Sequence, residues 1–383
     1  MPEGIVVIGG GFAGFWAAVA AKRVAGDRAA VTLVSRTPAL EMRPRLYEAN
    51  PETLAVDLQQ LLELIGVDFR QAEAKALDGG TVVLGDGDRL PFARLVIATG
   101  SCMPRPPVPG AELAHSIDTQ AEAVAFDQRL AELASRGAPH VVVIGAGFTG
   151  IELALELRDR VAAHGGDGES MRITLLDRAT EVGPELGPGP RDQIEAALSE
   201  AGVELRLGAT VREIATDGVG LADGRIDGDA VVLATGTRAA PFTEHVPGGR
   251  DGLGRIEVDR DLRAPGMPAL FIAGDAAAAD TGDGHLALQS CQHAMQLGRV
   301  AGENAARDLF GEATVPYVQQ RYVTCLDLGR SGAVLTYGWD RQVQQTGAAA
   351  KAIKRRINRE LIYPPVDATR EELLALSRVP VTE

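Results

Sequence analysis

Three observations predict an α/β fold made of two parallel-sheet units of one plan, the second inserted into the first, with a small α+β region at the C-terminus. A GxGxxG pattern occurs twice, as GGGFAG at Gly9 to Gly14 and GAGFTG at Gly145 to Gly150. Each copy follows a short apolar run, IVVI at Ile5 to Ile8 and VVVI at Val141 to Ile144, and opens an alanine-rich stretch of helical period. Each is answered by an ATG segment, one ending at Gly100 and one at Gly236, and both pairs are offset by the same distance along the chain. Strand, tight turn and helix in that order are what a Rossmann-like dinucleotide-binding unit requires. A single match would be weak evidence, whereas two in register point to two bound dinucleotides; the competing reading is a duplication in which one copy has lost its ligand.

The glycines have separable roles. Gly9 and Gly145 allow the sharp turn out of the strand, Gly11 and Gly147 let backbone approach a pyrophosphate, and Gly14 and Gly150 let the helix pack on the sheet. The helix N-terminus then offers free N–H groups and the positive end of its dipole to the phosphates.

After the first motif the sequence predicts a strand at Val31 to Val34, an irregular stretch with Pro38 and Pro44, and a helix from Leu54 to Ile65. Strands follow near Val67 to Phe69, at Thr81 to Leu84 and at Arg94 to Ile97, the last delivering Ala98, Thr99 and Gly100. The proline-rich SCMPRPPVPG at Ser101 to Gly110 reads as a linker. A second unit of the same plan fills about 138 to 240, and APGMPALFIAGDAA returns to the first. From Pro316 the pattern becomes short strands, around Tyr322 to Cys325 and Ala333 to Tyr337, then a basic helix and a short acidic one. The expected domains are 1–112 with 241–315, 113–240, and 316–383.

Composition fits an ordinary globular enzyme. A chain of 383 residues is long enough for about two or three buried cores. Apolar residues make up 45%, yet no run approaches the length of a membrane span. The apolar N-terminal stretch is broken by the first glycine motif and reads as a strand rather than a leader, so a cytoplasmic location is expected. Three widely spaced cysteines, Cys102, Cys291 and Cys325, argue against a disulfide framework and against a zinc site. A net charge of −14 gives a nucleic-acid role no electrostatic support.

The paired fingerprints, the two ATG segments and the late LFIAGDAA together resemble the flavoproteins with two dinucleotide-binding domains, which hold FAD in the first and NAD(P)H in the second. Within that group, GFTGIELALEL at Gly147 to Leu157 and QSCQHAMQLG at Gln289 to Gly298 are similar to the type II NADH dehydrogenases, which pass electrons from NADH through FAD to a quinone. The likeness extends to about residue 340.

This resemblance implies an FAD site at Gly9, Gly11, Phe12, Ala13 and Gly14, with Ser35, Arg36, Arg43 and Ala74, then Ala98, Thr99 and Gly100, and finally Gly274 and Asp275. Asp275 would bind the ribitol; the competing role is to cap the next helix. That helix would direct its N-terminus at the flavin and stabilise charge on the reduced ring. NAD(H) would lie on Gly145, Gly147, Thr149 and Gly150, with Asp177, Arg178, Thr235 and Gly236. Asp177, ending RITLLD, favours a free 2′-hydroxyl over a 2′-phosphate and so NADH over NADPH, although Arg178 beside it points the other way. Glu152 would position the nicotinamide, or else serve the helix dipole from the first turn. Hydride transfer needs alignment and dryness more than an acid or base.

Disulfide reductases carry CxxxxC or CxxC pairs, and neither spacing occurs. Sulfide:quinone reductases also place cysteines beside the flavin, and the spacing of these three gives that reading little support. Gln292 and Gln296, four apart on one helical face, match the two glutamines of the quinone-reducing pocket, with Cys291 where that family has alanine. The departures are as informative. Ser35 stands where the FAD unit usually ends its second strand in Glu or Asp, so a charge-assisted ribose contact is lost and weaker FAD binding is expected. Arg36 can compensate by stacking on adenine or pairing with a phosphate. AAAKAIKRRINRELI at 348–362 forms a basic amphipathic helix. It can lie on an anionic bilayer, pack on its own domain or meet a second copy of the chain. The implied function is an FAD-dependent NAD(P)H oxidoreductase with a quinone-like acceptor; a soluble reductase of a ferredoxin or small metabolite, and a redox-sensing NADH/FAD-binding protein, are the alternatives.

Overall fold

A computed structural model describes residues 4–379. Its first sheet is parallel and runs, edge to edge, Leu270–Ile272, Arg94–Ile97, Ile5–Ile8, Val31–Ser35 and Asp68–Gln71. The second runs His115–Ser116, Ala230–Leu233, His140–Ile144, Arg172–Leu176 and Val203–Arg206, again parallel. Residues 270–272 complete a sheet begun at residue 5, so the second unit is inserted into the first. Two central strands, Ile5–Ile8 and His140–Ile144, are buried along their whole length, as sheets covered on both faces require.

Each central strand feeds a helix, α1 at Phe12–Ala25 and later α4 at Phe148–Ala163. The turns between them depend on Gly9 and Gly145, whose φ values of +110° and +112° only glycine adopts without strain. Between α1 and α4 lie α2 at Leu58–Ile65 and α3 at Gln120–Ala134, and after them α5 at Arg191–Glu200. The expected helix from Leu54 is shorter than its apolar pattern suggested. Ala55–Asp57 pairs antiparallel with Ala39–Glu41, and the Asp57 carboxylate accepts the Gln59 N–H to start the helix at Leu58.

The linker is more ordered than its prolines imply. Ser101–Cys102 pairs antiparallel with Arg238–Ala239, so the two crossings between the units run side by side. Helix α6, Cys291–Leu309, returns to pack along α1; Gly298 and Gly302 lie against Ala13 and Ala17, where any side chain would strike backbone.

The C-terminal region is a three-stranded antiparallel sheet of Val323–Asp327, Ala333–Tyr337 and Gln342–Thr346. The third strand was not anticipated, because QVQQT is a polar edge with no apolar alternation. Helix α7, Gly347–Arg356, packs on this sheet, continues as one π-helical turn over Ile357–Leu361, and is followed by α8 at Arg370–Leu376. The basic stretch is therefore a shorter α-helix than 348–362, and two of its charges point inward. Lys354 is 5% exposed, while Leu361 on the following turn is 55% exposed. Among the described residues no helix is long and apolar enough to cross a membrane.

Candidate active site at the junction of the two units

The first glycine motif leaves its helix end open. A side chain imagined on Gly11 would meet nothing within 4 Å, and the N-cap makes no side-chain hydrogen bond. Ser35, at the end of the second strand, tucks its hydroxyl beside Gly10, where an added Cβ would come 2.5 Å from its oxygen. Thr99 Oγ1, just past the Arg94–Ile97 strand, is buried with no partner among the described residues. Open space over a helix N-terminus beside an orphaned hydroxyl fits a bound dinucleotide.

Asp275 is the centre of a polar joint. Ser101 Oγ donates to its carboxylate at 2.6 Å, and Arg43 donates to Ser101 O at 3.2 Å and to Asp118. Gln289 Nε2 donates to Asp275 O at 3.4 Å, and its own carbonyl accepts from Thr237 at 3.1 Å. Burial raises the pKa of the Asp275 carboxyl, and the Arg43 charge pulls against it. Asp275 does not cap α6, which starts at Cys291, with Ser290 as its cap accepting the His293 N–H. Asp118 was invisible in the sequence, because it belongs to no local motif; Gln289 opens the QSCQHAMQLG run, yet nothing in that run marks its contact with Asp275.

In the second unit Asp177 is already engaged. Its carboxylate accepts the Ala146 N–H at 2.7 Å and the Ala179 N–H at 2.8 Å, which leaves it acceptor capacity for a ribose hydroxyl. Arg178 is exposed. Glu152 lies in the second turn of α4 rather than the first, too far in to serve the dipole, and is 2% exposed. It faces the C-terminal region, where Lys354 Nζ stands 2.8 Å from Oε1 and the Asp327 N–H donates at 2.9 Å. Burial pushes its pKa up to about 7 against the pull of Lys354. One turn on, Glu156 is likewise pushed up to about 7 by burial, opposed by Lys351, which also pairs with Asp327. Lys354 Nζ is 5.3 Å from the ring of Phe148, the first residue of α4, so α7 reaches the second glycine motif. No signal in the sequence pointed to this, because the apolar residues at helical period, Ala349, Ile353, Ile357 and Leu361, mark another face than the buried Ala350 and Lys354.

Gln292 and Gln296 lie on one face of α6, both half-buried. Neither amide side chain has a hydrogen-bond partner among the described residues; the Gln319 side chain donates to the Gln292 backbone carbonyl at 3.4 Å. His293 between them is buried and stacks on Tyr322 at 4.8 Å, a packing role. Cys291 opens the helix, and burial pushes its thiol, like that of Cys325, up to about 11. Both are thiols rather than thiolates at neutral pH, the wrong form for attack on sulfur substrates.

The profile of the family described as "Pyridine nucleotide-disulphide oxidoreductase" matches residues 3–298. The chain belongs to this family. It is an oxidoreductase whose cofactors are FAD and a nicotinamide nucleotide, with the α/β fold of two inserted dinucleotide-binding units. It is 43% identical to an NADH dehydrogenase-like protein of Mycobacterium tuberculosis, over 97% of each chain. It is 30% identical to the demethylphylloquinone reductase of Synechocystis, covering 87% of this chain and 86% of that one. The sulfide:quinone oxidoreductase structure from Aquifex aeolicus superposes with a TM-score of 0.81 over 97% of this chain and 92% of its own. At 19% identity that likeness concerns the fold alone.

Proposed function

We propose that this enzyme oxidises NADH and passes the electrons through FAD to a quinone-like acceptor held at Gln292 and Gln296. The observation that carries the reading is the pair of half-buried, unpartnered amides one turn apart on α6, the helix that packs along the FAD-unit helix α1. Two carboxamides four residues apart suit the oxygens of a flat diketone, each able to donate a hydrogen bond that strengthens as negative charge grows on the oxygen. The relatives named as a demethylphylloquinone reductase and as NADH dehydrogenase-like support it.

In this reading residues 1–112 with 241–315 bind FAD, 113–240 bind the reductant, and 316–383 close the site from outside. FAD, when bound, supplies a two-electron acceptor for hydride from the nicotinamide. The chain's own residues do the rest. The glycine-motif helix ends seat the pyrophosphates, and Asp275 with Ser101 offers the ribitol a hydroxyl acceptor. Asp177 offers an acceptor to the reductant's adenosine ribose. Glu152 and Lys354 form a buried pair able to hold a proton near neutrality, which a two-electron reduction of a diketone consumes.

Gln292→Leu and Gln296→Leu are expected to leave the bleaching of the flavin band by NADH intact and to slow reoxidation by a water-soluble quinone about tenfold or more, the loss of a charge-assisted hydrogen bond. Stopped-flow measurement of the two half-reactions checks this. Unchanged reoxidation in both variants rules these glutamines out of the acceptor site.

A further inference from the structure

The two glycine motifs share a backbone and differ in what lies over them. Above Gly11 there is open space, whereas a Cβ on Gly147 would come 2.6 Å from Glu185 Oε1. The same oxygen accepts the N–H of Phe148, the first residue of α4, at 2.8 Å. That N–H is one of the free donors at the positive end of the helix, the place where a dinucleotide's pyrophosphate sits in this family. The seat itself is not new; its occupant is.

Glu185 reaches it from a short turn, Pro184–Leu186, in the run GPELGPGP at 183–190. The base of the turn is fixed: the Gly183 N–H donates to Ala146 O at 2.8 Å, and Leu186 is 2% exposed. Its tip is not, since the Glu185 side chain is exposed and has no other hydrogen-bond partner among the described residues. An anchored turn thus presents one carboxylate to one helix end, from which the side chain can rotate into solvent.

We infer that Glu185 is a displaceable anionic cap on the reductant's pyrophosphate seat, so that nucleotide binding proceeds by exchange of a carboxylate for a phosphate. This rests on the reading of 113–240 as the reductant unit. The cap lowers affinity for every ligand that carries the pyrophosphate and has no effect on one that lacks it. It also keeps the helix end satisfied between turnovers, which favours release of the oxidised nucleotide.

The test uses the FAD-loaded protein and its Glu185→Gln and Glu185→Ala variants. Calorimetric titration with ADP-ribose, which carries the pyrophosphate and no nicotinamide, is expected to give a Kd about tenfold lower in the alanine variant and a smaller gain in the glutamine variant. Adenosine should bind all three alike. In anaerobic stopped-flow, the NADH concentration giving half the limiting rate of flavin bleaching should fall by the same factor. An unchanged or higher Kd for ADP-ribose in Glu185→Ala overturns the cap while leaving the reductant reading standing, provided NADH still bleaches the wild-type flavin. If NADH bleaches none of the three, the reductant reading fails and the cap fails with it.

Discussion

Ser35 is where the proposed FAD seat departs most plainly from a carboxylate-bearing one. Its hydroxyl lies against Gly10, at the end of the strand that would border the FAD seat, and adds no charge where a carboxylate would accept ribose hydrogen bonds. Replacing it with glutamate restores a charge-assisted acceptor, worth about 1.4 kcal/mol more than a neutral one. FAD should leave Ser35→Glu about tenfold more slowly, measured by the recovery of flavin fluorescence on dilution. Faster release would mean that the fit of serine against Gly10 outweighs the gained acceptor. Residues of this kind were legible in the sequence because their partners are local. The glycines, Ser35, Asp177 and Thr99 each follow an apolar strand by a fixed few positions, and strand geometry does the placing. Glu185 was missed because its proline- and glycine-rich turn has no period, and Glu152 was found but seated wrongly, its partners lying far along the chain.

At the scale of elements, α7 is the one whose role the sequence left open. Its basic character reads as a surface for an anionic partner, yet Lys351 and Lys354 point into the protein and neutralise Glu152, Glu156 and Asp327. The helix is pinned by buried ion pairs, whose desolvation offsets much of their attraction but which cost much to break singly, because the remaining charge is left buried and unpaired. Lys354→Met should therefore destabilise the protein by about 3–5 kcal/mol at pH 8, read from urea midpoints. The effect should shrink at low pH. The pKa of Glu152 rises from 4.5 to about 7 on folding, so the native state binds its proton more tightly than the unfolded chain does. That contribution is fully present below about 4.5 and is lost as the pH climbs through 7. Without Lys354 burial acts unopposed by that charge, so the carboxyl stays protonated at little cost at pH 5, whereas at pH 8 it must either ionise unpaired or hold a proton that the unfolded chain releases. Equal losses at both pH values would show that Lys354 acts by packing alone. The polar edge strand Gln342–Thr346 was illegible for a related reason: its partner strand, not its own sequence, makes it a strand.

For the whole molecule, the order of parts follows from the repeat. A second motif of the same spacing, followed by a return segment, is enough to predict insertion of one unit in the other, and the Leu270–Ile272 strand closing the first sheet is the physical result. What no repeat could convey is the joint, where Arg43, Ser101, Asp118, Gln289 and Thr237 tie Asp275, the proposed FAD contact, to the second unit. In the proposed function the joint and the inward charges of α7 gather both units and the C-terminal region around one site. The proposed electron path runs from NADH through FAD to a quinone-like acceptor. It is tested most directly by mixing the FAD-loaded protein anaerobically with NADH, recording the flavin band, and then adding a water-soluble quinone. Bleaching by NADH and rapid recovery on addition of the quinone are expected; bleaching that persists after the quinone is added would rule out a quinone-like acceptor.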